Sequence, residues 1–399
     1  MTELTEKIGK YKSELTAELK NILQYWSDRT PDELHGGFFG RLDNNSRVIA
    51  EAPKGSVLNA RILWTFSAAF NNAADDEYLK IAGRAYDYIS RHIIDQEYGG
   101  VYWSVDFKCR PLDTKKQVYA IAFTIYAFSE FYMASADEAV KQKAIDLFYQ
   151  LVEKAYDPIQ TGYFEAFTKE WQPMGDLRLS TKDANEKKTM NTHLHVLEAY
   201  TNLYRIWPDK ALKQHIEVLL NNFFDHFIDQ QTYHLALFFD EDWNPRSGLV
   251  SYGHDIEATW LLLEAAEVIG DERSGDKIRE LTIKMADETI KAVDADGGLW
   301  YESEPGEDHT VKEKHWWVQA EAMVGFFNAW QISGDQKYFN QSLASWEFVK
   351  EKILDKVEGE WFWGINPDST VMQTEDKVGI WKCPYHNSRA CLEIIRRIG

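Results

Sequence analysis

The stretch "SVLNARILWTFSAAFNNAADDEYLKIAGRAYDYISRHIIDQEYGGVYWSVD", residues 56–106, decides how this chain is read. Residues 56–70 and 77–94 carry apolar side chains at helical spacing, and the turn-like "NNAADD" separates them. A short aromatic strand or turn, "YGGVYWSVD" at 98–106, follows. Such a helical hairpin cannot bury its own apolar face and needs neighbours of the same kind.

The chain supplies them. A glycine or small residue followed by aromatics and an acidic group recurs in "HGGFFGRLD" (35–43), "YGGVYWSVD", "QTGYFEAF" (160–167), "YHLALFFDED" (233–242), "DGGLWYESE" (296–304) and "EGEWFWGIN" (358–366). Gly37, Gly100 and Gly162 stand 63 and 62 residues apart, Gly162 and Gly298 are two steps of 68 apart, and Gly359 follows after 61. The member around His234 fills the double step, having lost its glycine. Paired helical patterns lie between these members at 115–134 with 136–156, 189–206 with 209–229, 254–270 with 272–293, and 313–333 with 335–354. Patterns at 4–28 and 384–398 complete twelve.

Six helical hairpins with aromatic loops at one end predict an all-α fold, an (α/α)6 barrel. An open solenoid of the same units is the alternative, but both terminal segments are amphipathic, as ring closure requires. A closed ring converges its inner helices and aromatic loops on one pocket.

Length alone would suggest two or three domains, yet no linker, charge block or low-complexity segment divides the 399 residues, so one domain over 1–399 is expected. A formal charge of −20 without a compensating basic cluster argues against nucleic acid and anionic membrane surfaces as partners. The start "MTELTEKIGKYKSELTAELK" has no apolar signal core, and three cysteines form no CxxC pair, which together point to a cytoplasmic protein.

The candidate pocket residues come from several segments. In "GLVSYGHDIEATWLLLEAAEVIG" (248–270), His254 and Glu257 open an otherwise apolar helix three residues apart, on one face. In "MNTHLHVLEAYTNLYRIW" (190–207), Asn191, His195 and Glu198 share a stripe, whereas His193 points well away from His195. The two histidines cannot reach one metal, and with no HExxH, CxxC or EF-hand pattern, no metal is expected. Arg61, in the apolar "VLNARILWTF", calls for an anionic partner or ligand. Trp316 and Trp317 begin another helix, and Trp381 and His386 stand at a loop-to-helix transition in "GIWKCPYHNSRACLEII" (379–395).

Fifteen tryptophans and 14% aromatic residues offer flat apolar faces to sugar rings. There is no GxSxG elbow, Walker A loop or GxGxxG. Two enzyme classes remain. A glycosidase would draw its carboxyl pair from Asp255, Glu257, Glu302 and Glu304. A sugar epimerase or isomerase needs a base for a carbon-bound proton, which histidine suits. Three separated histidines and one arginine favour the second class, and a non-catalytic sugar-binding protein is the bland alternative.

The segments "NARILWTF", "MNTHLHVLEAYTNLYR", "SYGHDIEATWLL", "HWWVQAEAMVGF" and "WKCPYHNSR" together resemble the N-acylglucosamine 2-epimerase superfamily, and within it the cellobiose 2-epimerases, over essentially the whole chain. That resemblance implies an (α/α)6 barrel, no redox cofactor and no obligatory metal. It implies conversion of the reducing-end glucose of a β-1,4-linked disaccharide to mannose, with an enzyme acting on free mannose as the nearest alternative. Carried over by position, it places the acid/base histidines at His254 and His386, with Glu257 supporting the first ring. It assigns Arg61 and His195 to the reacting oxygens, and Asn191, Asp183, Tyr119, Trp316, Trp317 and Trp381 to the surroundings of the substrate. A small-molecule sugar is the expected partner, and a monomer the expected state.

Overall fold

The computed structural model describes residues 3–307 and 309–399. The described chain forms twelve α-helices: α1 (Glu3–Arg29), α2 (Ser56–Ala73), α3 (Asp76–Tyr88), α4 (Val118–Ser135), α5 (Glu138–Lys154), α6 (Met190–Ile206), α7 (Lys210–Asn222), α8 (Tyr252–Ile269), α9 (Glu272–Thr289), α10 (Trp316–Ser333), α11 (Gln336–Phe348) and α12 (Tyr385–Ile398). The even-numbered helices pack side by side in chain order, and α12 closes the ring against α2. Each odd-numbered helix covers an inner one from outside, with α1 against α12. The result is the (α/α)6 barrel, its sixth hairpin built from the two ends of the chain.

Hydrophobic pattern sorts the two rings. Inner helices are covered on all sides, so Ser56–Ala69 of α2 and Val118–Ser129 of α4 are buried without a break, whereas α3 buries only Ala82, Ala85 and Tyr88. The helical patterns at 115, 189 and 313 begin a little early, because Lys116–Gln117, Lys188–Thr189 and Lys314–His315 are strand dipeptides. Each pairs antiparallel with the aromatic segment of the next repeat, Ala166–Phe167, Phe238–Phe239 and Gly364–Ile365 respectively, and the helix starts only after that ladder ends.

In five of the six repeats the glycine turn is anchored by an ion pair whose lysine is buried. Asp32, Asp95, Asp157, Asp294 and Asp355 each bind a lysine from a following segment, Lys54, Lys116, Lys188, Lys314 and Lys377. Gly99 and Gly100 show why the turn selects glycine, since both are left-handed with φ 75° and 67°. At the corresponding pair of the fourth repeat Tyr233 is left-handed, at φ 58°, and His234, in the second glycine's place, is not.

Candidate active site

The inner helices point their N-termini at one end of the barrel, around a cavity of about 480 Å³. Arg61 enters from α2, Tyr119 from α4, Asn191 and His195 from α6, His254 and Glu257 from α8, and Trp316 and Trp317 from α10. Trp381 precedes α12, His386 lies in its first turn, and Asp183 comes from the loop before Lys188–Thr189. All eleven residues singled out from the sequence line this cavity.

Arg61 is 2% exposed, and among the described residues no carboxylate pairs with it. Its Nη2 donates to Tyr119 Oη at 2.7 Å, its guanidinium lies 4.2 Å from the Phe123 ring centre, and its Nε has no partner. A buried cation held by a phenol and aromatic faces is arranged for a negative charge supplied from outside. Asn191 Oδ1 and Trp316 Nε1 are likewise buried without partners, leaving an acceptor and a donor for a hydroxyl-rich ligand.

The three histidines have different supports. His254 Nδ1 meets Ser251 Oγ at 2.8 Å, His195 Nδ1 meets Glu198 Oε2 at 2.8 Å, and His386 Nδ1 meets Glu321 Oε1 at 2.7 Å. Burial, with His195 nearby, pushes His254 down to about 3. Burial and the cations Arg61 and Arg389 hold His386 well below its ordinary value. Both are therefore neutral near pH 7, and the Nε2 of each has no hydrogen-bond partner among the described residues.

The expected support of His254 by Glu257 is corrected here: the ring's partner is Ser251, and Glu257 Oε1 is bound by Arg389 Nη2 at 2.5 Å. Arg389 lies at the centre of a carboxylate cluster. It also binds Glu321 Oε1 at 2.7 Å and Glu198, and Tyr385 Oη donates to Glu198 at 2.5 Å. Three carboxylates around one guanidinium repel each other. Burial first, then the neighbouring carboxylates, raises Glu257 to about 7, whereas Glu198 stays near 2 because Arg389 and His195 overcome the burial penalty. Ligand atoms of Glu257, Glu321 and His386 lie within 4.8 Å of one another, but the Arg389 guanidinium already supplies the cation that binds both carboxylates.

The glycosidase carboxylates separate. Asp255 is fully buried away from the cavity, accepting from Leu235 N at 2.8 Å and pairing with His234 Nδ1 at 2.7 Å. Glu304 is outside the lining, and Glu302 lines the cavity beside Tyr301 and Asp183. Only Glu257 and Glu302 of that set reach the cavity, and the first is committed to Arg389.

Comparison with known proteins agrees with this geometry. Residues 37–390 match the family model of N-acylglucosamine 2-epimerase (GlcNAc 2-epimerase). The chain belongs to this family. A cellobiose 2-epimerase of Bacteroides fragilis is 46% identical, covering 96% of this chain and 98% of its own. One of Ruminococcus albus is 40% identical with 96% and 98% covered. The solved structure of cellobiose 2-epimerase from Bacillus thermoamylovorans superposes with a TM-score of 0.93 at 38% identity, covering 98% of this chain and 100% of that one. This member of the N-acylglucosamine 2-epimerase family is thus a carbohydrate epimerase or isomerase.

Sequence reasoning passed over Glu321, Arg389, Tyr385 and Ser251. A signal for two of them was present: Glu321 in "HWWVQAEAMVGF" and Arg389 in "SRACLEII" are charged residues among apolar ones, the rule that picked out Arg61. Ser251 and Tyr385 carry no such mark. Among the described residues no helix is long and apolar enough to cross a membrane.

Proposed function

We propose that this family member is a cellobiose 2-epimerase, interconverting glucose and mannose at the reducing end of β-1,4-linked disaccharides such as cellobiose and lactose. The observation that carries this reading is the pair of neutral imidazoles, His254 and His386, with free Nε2 atoms in a cavity that also holds an arginine without a carboxylate partner.

The chemistry follows from what a C2 proton requires. It is acidic only beside a carbonyl, so the pyranose first opens, with an imidazole moving the O1 proton to the ring oxygen. One imidazole then takes the C2 proton, and the electron pair forms an enediolate whose negative oxygen faces Arg61 and His195. The intermediate turns about C2–C3. The other imidazole, protonated from solvent, returns a proton to the opposite face, and ring closure gives the epimer. Trp316 and Trp381 would stack on sugar faces, with Asn191, Asp183 and Tyr119 meeting hydroxyl groups. Glu321 orients His386, and Glu198 orients His195.

The reading extends to the whole chain as one domain, working as a monomer in the cytoplasm. Its formal charge of −20 supports a partner that is a neutral small molecule rather than a polyanion.

The test is proton NMR of cellobiose with the pure protein in D₂O. The expected result is a mannose-type reducing end carrying deuterium at C2. Exchange of free mannose with cellobiose unchanged would replace this reading by a monosaccharide enzyme, and release of glucose by bond cleavage would replace it by a hydrolase.

A further inference from the structure

Trp317 lies beside both proposed bases. Its ring centre is 4.8 Å from that of His254 and 5.8 Å from that of His386, and its edge meets Tyr301 at 6.3 Å and 89°. It holds this place because α8 has no side chain at Gly253. A Cβ there would stand 2.5 Å from Trp317 Cη2 and Cζ3, and 2.9 Å from Val318 Cγ2. Gly253 is buried in the first turn of an ordinary helix, where alanine is the better helix former. Its bareness therefore serves the indole rather than the backbone.

On the epimerase reading above, the C1=C2 unit must swing about C2–C3 from one imidazole to the other, and Trp317 walls that path. We propose that Gly253 is a positioning residue that seats Trp317 far enough back for the enediolate to turn, so that it sets how often proton loss at C2 ends in inversion. A methyl group at 253 drives the indole roughly 1 Å toward the cavity, the kind of shift that overpacking forces. The first step survives: the C2–H bond breaks, an imidazole takes the proton, and its electron pair forms the C1=C2 enediolate. A hindered intermediate then takes a deuteron back from the same imidazole after exchange with solvent, its electron pair forming C2–D on the original face. The starting sugar is recovered, labelled.

The experiment follows cellobiose in D₂O by NMR with the wild type, Gly253→Ala, Trp317→Phe and the double variant, measuring deuterium in recovered cellobiose against deuterium in the epimer. Gly253→Ala is expected to raise the ratio of exchange to inversion by about tenfold or more, since displacements near 1 Å carry effects of this size. Because a phenyl ring does not extend to Gly253, adding Gly253→Ala to Trp317→Phe is expected to change the ratio by less than about twofold. The double variant relieves the contact with the indole and leaves only the approach to Val318 Cγ2, and if Gly253→Ala folds poorly, a change of more than about twofold on adding it to Trp317→Phe still overturns the inference. The inference is overturned if exchange and inversion fall together in Gly253→Ala, or if its effect is the same in both backgrounds. A wild-type protein that leaves C2 unexchanged would instead overturn the epimerase reading on which the inference rests.

Discussion

His254 and His386 are kept neutral by the same force and held by different partners. Burial lowers both, but a serine hydroxyl orients one and a glutamate the other. His254→Asn and His386→Asn are each expected to reduce epimerisation at least about 100-fold, because positioned general acid/base groups contribute on that order. Far-UV circular dichroism should be unchanged, and a variant keeping roughly a tenth of the rate would remove its residue from the acid/base pair. Arg61→Lys is expected to lose about 10²-fold in kcat, since a point charge replaces a planar fork held by Tyr119. Full turnover in that variant would reassign Arg61 to packing.

Single helices reuse one position for one task. His193 near the start of α6, Asp255 in α8 and Gln319 in α10 each accept the backbone N–H of the preceding aromatic segment, from Tyr163, Leu235 and Leu299 at 2.8 Å. This is why His193 is absent from the cavity that His195 lines, and why Asp255 is structural. The choice of histidine has a pH consequence. Burial lowers His193 from 6.5 to about 3, so the unfolded chain binds the extra proton and the stabilisation present above 6.5 is lost as pH falls toward 3. His193→Gln copies the arrangement at Gln319 and removes that proton. Urea midpoints at pH 7, 5 and 4 should decline less steeply in the variant, and equal declines would show that His193 does not titrate on unfolding.

Closure of the whole ring depends on residues far apart in the chain. Glu360 accepts from Trp26 Nε1 on α1, from Lys382 Nζ just before α12 and from Asn387 Nδ2 on α12, each at 2.7 Å, and all are buried. Trp361 Nε1 donates back to Glu18 on α1 at 2.8 Å. Glu360→Gln leaves Lys382 buried without its counter-charge, and breaking such a pair typically costs about 3–5 kcal/mol. Urea unfolding should show that loss with the barrel's circular dichroism retained, and a loss under about 1 kcal/mol would mean that Lys382 finds water or another acceptor.

The twelve helices, the six aromatic turns and nine of the eleven predicted site residues were legible in the sequence, because burial on every side, a repeat near 63 residues and polar or aromatic groups at the starts of apolar helices are local patterns, whereas Asp183 and Tyr119 rested on the family resemblance alone. Pairing was not legible. Spacing of three residues places His254 and Glu257 on one face, but says nothing of which helix each side chain meets across the barrel. Arg389, 132 residues from Glu257 and 191 from Glu198, reaches both once α12 closes against α10 and α2. The strength of an ion pair in a buried site decides that contest, and the distance between its members exists only after the ring has closed.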